Sequence, residues 1–371
     1  MNLYRTNGCD MTAEKKKRKG LIISLSIIGG FLLILFIAFM CQVGFGGSYT
    51  DKDGRYKHLK TSSSYNYIYN HPIWEGNGKD FFSCWADEST ANLTGFMSVR
   101  ALCYWCGWNA ETTIDALNYM IEQANEDKIS IHQEYSESEI AQNDCLKTAK
   151  MVFYKGNPDM PTAIVAAGGG YTAVRSDTEG FPYAWKLHER GYNVFVLRYR
   201  VGQDLNVSGN ESVVAEAGKD MVAAIKYIQE NQSELGVSLD GYSLWGSSAG
   251  GGIITSFSYA CQDKSFEQLG IPKPAAQMLI YTHADYFNKL RFQADDVPTY
   301  TIVGSGDTYG GDVVMDKKVP EMQAAQMVVE YHKYDDYVHG TGLGTGTSAE
   351  GWINDAIAFW QKQTGKMILG V

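Results

Sequence analysis

Gly246-Ser247-Ser248-Ala249-Gly250 closes a short apolar strand at 242–245 and opens a helix at about Ala249. This junction leaves the rest of the chain few ways to fold. A sharp strand-to-helix turn pushes its central serine out of the sheet, and the flanking glycines let backbone pass without Cβ clashes. The first helical amide, that of Ala249, has no intrahelical acceptor and sits at the positive end of the helix dipole. With 39 Gly in the chain, such a pentapeptide arises by chance roughly 0.3 times. A plain glycine-rich turn is therefore the competing reading, and the remaining chain must decide.

The pattern around this junction alternates buried strand and helix. Strands are expected at 129–135, 151–154, 162–167, 193–198, 276–281, 299–303 and 327–334. Helices are expected at 181–190, 213–231 and 349–361. Short apolar strands separated by helices predict an α/β fold, a mostly parallel sheet covered on both faces. An earlier amphipathic helix is expected at 111–125, with Ile114, Leu117, Met120 and Ile121 on one stripe and Asn109 or Thr112 as its cap.

Three further features fall where chemistry at Ser248 would need them. Gly168-Gly169-Gly170 directly follows the 162–167 strand, and consecutive glycines can turn amides toward one point. Asp307 ends the strand and turn TYTIVGSGD, and His339 ends VVEYHKYDDYVH. The order Ser…Asp…His suits a triad in which the imidazole takes the serine proton and the carboxylate holds the imidazole. His283 is the rival base, but it precedes the acid; Asp312, Asp335 and Asp336 are rival acids. Asp307 is preferred because it lies at the C-terminal edge of a strand, where such sites assemble. No HExxH, paired CxxC or carboxylate cluster suggests a metal or cofactor.

The N-terminus sets location. Residues 1–20 hold six Lys/Arg against two Asp/Glu, so the remaining chain carries −14 of a total −10. An acidic body argues against nucleic acid as a partner. Residues 21–41 are an apolar run about 30 Å long if helical. Lys15, Lys16, Lys17, Arg18 and Lys19 stand just before it, which keeps the N-terminus in the cytoplasm. The expected division is a cytoplasmic basic tail at 1–20, an uncleaved transmembrane signal-anchor at 21–41 and a Gly/Ser-rich linker at 42–66. A helical lid at 67–128 and a catalytic domain at 129–371, outside the cytoplasm, follow. The lid segment is aromatic: Trp74, Phe81, Phe82, Trp85, Phe96, Tyr104, Trp105 and Trp108. Cys103 and Cys106 within it are packing residues or a local disulfide; no second pair makes them a metal site.

From about residue 134 onward the chain resembles the α/β-hydrolase superfamily. The closest likeness is to its bacterial acetyl-esterase branch, related to hormone-sensitive-lipase-like esterases. The likeness rests on AAGGGYTAV, GYNVFVLRYRVG, GYSLWGSSAGG, GSGDTYG and VHGTGLGTGTSAEGW. It implies a serine esterase for short, acetyl-like acyl esters, possible on carbohydrates, with Ser248 as nucleophile, Asp307 as acid and His339 as base. The amides of Gly169, Gly170 and Ala249 become the oxyanion donors. Many relatives carry His before the three glycines, where this chain has Ala167, so what supports the loop is open. A prolyl-oligopeptidase-type peptidase shares fold and triad, but residues 42–150 are too short and too helical for its propeller. A membrane-tethered binding module without activity is the non-enzymatic alternative, disfavoured because all three triad residues are present.

Overall fold

The computed structural model describes residues 43–82, 94–207, 209–259, 265–283 and 287–365, together with Leu32, Phe39 and Met40. The basic tail and the rest of the apolar run 21–41 lie outside the described residues. Among the described residues, no helix is long and apolar enough to cross a membrane.

Helices α1 (Tyr65–Tyr69), α2 (Val99–Cys106) and α3 (Ala110–Ala124) precede the sheet. The strands are β1 (Ile129–His132), β2 (Lys150–Tyr154), β3 (Thr162–Ala166), β4 (Asn193–Arg198), β5 (Ser243–Ser247), β6 (Ala276–Ile280), β7 (Thr299–Gly304) and β8 (Val329–Tyr334). Their order is β1-β2-β4-β3-β5-β6-β7-β8. β1 and β2 are antiparallel to their neighbours, and β4 through β8 run parallel. β2 to β7 are buried along their whole length, and only the two edge strands are partly exposed. That burial explains their unbroken apolar runs.

The long helices are α4 (Phe181–His188), α5 (Asn210–Glu230), α6 (Ala249–Thr255), α7 (Gly311–Ala324) and α8 (Trp352–Thr364). The connection from β3 to β4 moves one way along the sheet, and those from β4 to β8 move the other. Right-handed crossovers then put α4 on one face and α5, α6 and α7 on the opposite one. α8 returns to the α4 face, where Trp352 meets Tyr183 and Trp245, and Trp360 stacks on Tyr192 at 4.6 Å. The reversal of direction falls between β3 and β5, whose C-terminal ends face one crevice.

Expected strands and helices agree with the structure to within a few residues. β1 stops at His132 rather than 135, because Ser136 caps a short helix, Glu137–Gln142, through a capping box with Glu139. Of the Gly/Ser-rich linker expected at 42–66, the described residues 43–66 are not a loose tether. Val43 pairs with Met97, and Ser64 with Ser98. Two asparagines two turns apart on and at the end of α3 grip the strap. Asn118 bonds both the N–H and the C=O of Leu59, at 2.7 and 3.2 Å. Asn125 does the same for Tyr56, at 2.8 and 3.0 Å. Composition suggests flexibility; side-chain amides from 59 and 69 residues away remove it.

The aromatic segment divides in two. Tyr65, Ile68, Trp74, Phe81 and Phe82 are buried in the same core as the sheet. Trp74 lies 5.5 Å from the Phe181 ring of α4, and its indole N–H donates to Ile68 O at 2.8 Å. α3 packs along α4, with Tyr119 OH 2.7 Å from His188 Nδ1. This part forms an outer layer over α4. Trp85 lies outside the described residues, and Phe96, Tyr104 and Trp105 are exposed. Cys103 and Cys106 are free thiols on α2. Burial pushes the Cys103 thiol up to about 12, as suits a packing residue.

Candidate active site

The elbow is built as its sequence requires. Ser248 has φ 47° and ψ −116° between β5 and α6, a conformation that costs a non-glycine residue about 1–3 kcal/mol. Backbone hydrogen bonds hold it there. Its N–H donates to Ile280 O at 2.9 Å, and its carbonyl accepts from the amides of Gly252 and His283. Gly250 is obligatory, since a Cβ there would lie 2.0 Å from Ala166 O.

The structure brings Ser248, His339 and Asp307 together. Ser248 Oγ and His339 Nε2 are 2.8 Å apart, and His339 Nδ1 is 2.8 Å from Asp307 Oδ2. A carboxylate only accepts, so Nδ1 carries the proton and Nε2 is free to accept the serine hydroxyl. The other Asp307 oxygen accepts the amides of Tyr309 and Gly311, the latter opening α7. Burial alone would raise the Asp307 carboxyl. The hydrogen bond and charge of His339, with the two amides, outweigh it and hold the carboxyl below its usual range. The imidazole lies between Tyr281 and Tyr309, at ring distances of 4.8 and 4.5 Å.

The rivals are engaged elsewhere. Asp312 accepts the Gly306 amide, Asp335 accepts from Ser305 Oγ, and Asp336 accepts from Ser348. His283 packs its ring against Tyr171.

The glycine loop lies against the nucleophile: a Cβ on Gly168 would sit 2.9 Å from Ser248 Cβ. Gly169 has φ 136° and Gly170 φ 61°. The carbonyl of Gly169 accepts the amides of Thr172 and Ala173, which curls the loop. The amides of Gly169 and Gly170 donate to no backbone or side-chain acceptor among the described residues. The Ala249 amide opens α6 and precedes any intrahelical acceptor.

One residue escaped sequence reasoning. Glu179 is buried, and its Oε2 accepts both the Gly168 amide and the Ser247 hydroxyl, while its Oε1 accepts from Tyr281 OH at 3.1 Å. In sequence it stands two residues before the helix expected at 181–190, a place where an acid is ordinary. No local signal separates that from a buried acceptor.

Around the triad, Trp108 stacks on the Arg175 guanidinium at 3.6 Å, and its indole nitrogen would lie 3.9 Å from a Cβ on Gly340, next to His339. A cavity of about 360 Å³ opens beside Tyr171 and His283 and is lined also by Asn210, Glu211, Val214 and Lys289. Neither this cavity nor a larger groove of about 730 Å³ around Arg200 and Lys219 is lined by a triad residue.

Residues 153–278 match the family model BD-FAE; the match takes in Gly168–Gly170 and Ser248 but ends before Asp307 and His339. No curated protein matches the chain. Three solved structures are similar. One is MGS-M1, an alpha/beta hydrolase enzyme from a Medee basin deep-sea metagenome library: 21% identity, 64% of this chain and 98% of that one, TM-score 0.50. Esterase 2 of Thermogutta terrifontis, phosphoramylated by tabun, is 16% identical over 66% of this chain and 97% of its own, TM-score 0.52. A sugar hydrolase (YeeB) from Lactococcus lactis is 21% identical over 58% and 95%, TM-score 0.50.

Proposed function

We propose that this chain, an α/β-hydrolase by fold, is a membrane-anchored serine esterase acting on short-chain acyl esters outside the cytoplasm. The observation that carries the reading is the continuous hydrogen-bonded path from Ser248 Oγ through His339 to Asp307, both links 2.8 Å, beside a glycine loop with unused amides. In this mechanism Ser248 Oγ attacks the ester carbonyl carbon while His339 Nε2 takes its proton. The carbonyl oxygen becomes an oxyanion facing the amides of Gly169, Gly170 and Ala249, each such donor being worth about 2.7–4 kcal/mol. The C–O bond to the alcohol breaks as His339 returns the proton to the leaving oxygen. Water then repeats the sequence on the acyl-enzyme, activated by the same imidazole, and Asp307 stabilises the imidazolium in both halves.

Short acyl groups suit the approach beside His339, which Trp108, stacked on Arg175, narrows. Within that class an acetyl group on a carbohydrate alcohol is the candidate, on the resemblance of the sequence to the acetyl-esterase branch. Anchoring is supported by the basic cluster at 15–19 followed by the apolar run 21–41.

The test is a panel of p-nitrophenyl acyl esters, acetylated sugars and peptide amides, run on the full chain and on Ser248→Ala. The expected result is turnover of acetyl and propionyl esters, a steep fall in kcat/KM by octanoyl, and loss of both turnover and fluorophosphonate labelling in Ser248→Ala. Preference for long acyl chains would overturn the short-acyl reading. Turnover that survives Ser248→Ala would overturn the mechanism. Protease added to intact cells should remove the body; a protected body would refute the topology.

A further inference from the structure

We infer that Glu179 is a positioning residue that holds the three loops of the catalytic constellation in register, an inference that rests on the esterase reading above. Three donors converge on its carboxylate, one from each part of the machinery. The Gly168 amide belongs to the glycine loop, and Ser247 Oγ immediately precedes the nucleophile. Tyr281 OH, the third, itself accepts the Gly342 amide at 3.1 Å, three residues beyond His339. The Tyr281 ring also flanks His339. Only an acceptor with several lone pairs can serve three donors at once, and a carboxylate is the one side chain that does so without offering a proton.

The backbone is shaped to deliver it. Ser176–Gly180 form a π-helical turn in which every residue is buried. Such turns insert a residue into helical geometry and are frequent at functional sites. Here the turn precedes α4 and aims the Glu179 side chain at the C-terminal ends of β3 and β5 instead of toward solvent. Burying a carboxylate is costly unless it is fully hydrogen-bonded, and its three donors offset that cost.

The consequence is geometric. With the Gly168 amide engaged by Glu179 and the Gly168 carbonyl by the Arg175 amide, the next two peptide groups have little freedom. The amides of Gly169 and Gly170 are then left to face substrate. This supplies the loop support that Ala167 cannot, since Ala167 contributes only a carbonyl, which accepts from Tyr199 OH at 2.8 Å.

The experiment compares Glu179→Ala, Glu179→Gln and Tyr281→Phe with wild type in the full chain, with p-nitrophenyl acetate as substrate. Each kcat is divided by active sites titrated with a fluorophosphonate. A loop misplaced by about 1 Å costs about 10²-fold. Glu179→Ala should therefore lower per-site kcat about 100-fold with KM within about threefold. The glutamine oxygen can still take the Gly168 amide but not all three donors, so Glu179→Gln should recover about tenfold of that loss. Tyr281→Phe, which releases only the base loop, should lose about tenfold. A purely structural role would lower the thermal midpoint and the number of titratable sites and leave per-site kcat unchanged; that result would overturn the inference. If Glu179→Ala does not fold, wild-type per-site kcat in both Glu179→Gln and Tyr281→Phe would overturn it equally. Wild-type protein without Ser248-dependent turnover would overturn the esterase reading and this inference with it.

Discussion

Replacing Asp307 by Asn tests the triad at the point where the structure makes the strongest demand. The exchange is nearly isosteric at a side chain with no solvent exposure. One oxygen of Asp307 is committed to the amides of Tyr309 and Gly311, at 2.9 and 3.4 Å. An asparagine must keep its carbonyl there, so its NH₂ turns toward His339 Nδ1. Two donors cannot face each other, and the imidazole therefore moves its proton to Nε2. That nitrogen then points a hydrogen at Ser248 Oγ across 2.8 Å and cannot accept the serine proton. The expected fall in kcat is about 10⁴-fold, as for an inverted tautomer in such triads, or about 5.4 kcal/mol in the barrier. The competing explanation, partial unfolding, is too small: a lost charge-assisted hydrogen bond costs about 1.5–3 kcal/mol of stability, which leaves a stable domain folded. Initial rates on p-nitrophenyl acetate, with the thermal midpoint measured in parallel, separate the two. Because Asp307 is held below the usual carboxylate range, its contribution to stability is complete above about pH 4 and is lost as pH falls through its lower folded value. The midpoint gap between wild type and Asp307→Asn should close over that acid window. An Asp307→Asn protein retaining a tenth of wild-type kcat, or a larger loss in Asp336→Asn, would refute the assignment.

Two further outcomes follow from burial. Trp74→Ala removes an indole that touches Phe81, Phe82 and Phe181 and should cost about 3–5 kcal/mol in denaturant unfolding. A variant with wild-type stability and altered acyl preference would instead make this region a detachable lid. Glu134 is buried, and burial, then the Asp220 charge, push its carboxyl well above the usual range. A raised folded value means stability is complete below about pH 4 and is lost as pH rises. Glu134→Gln should therefore raise the thermal midpoint at pH 8 by a few degrees, at about 2–4 °C per kcal/mol, and by nothing at pH 4. Equal midpoints at pH 8 would contradict the burial argument.

The parts of this site that could be read from the chain are those written in local pattern. Ser248 announces itself because a strand, a tight turn and a helix start are all short-range features. Asp307 and His339 stand out as candidates because the C-terminal ends of buried strands are legible from apolar runs and the turn residues after them. Glu179 does not, since its meaning comes from donors 11, 68 and 102 positions away. The strap at 43–66 failed for the same reason: glycine and serine report local freedom, and Asn118 and Asn125 cancel it from a distant helix. The layer over α4 was visible as an excess of aromatic residues, but no periodicity in 67–108 said which surface they cover.

The strap also sets a working radius. A flexible leash spanning 42–66 would let the catalytic crevice wander about 25–30 Å from its point of attachment. In the folded chain Val43 is already paired to Met97, and Leu59 and Tyr56 are held by Asn118 and Asn125, so residues 43–66 offer the crevice no such reach. Whatever pulls on Val43 pulls on the folded body directly, and the catalytic crevice keeps a fixed orientation to that point.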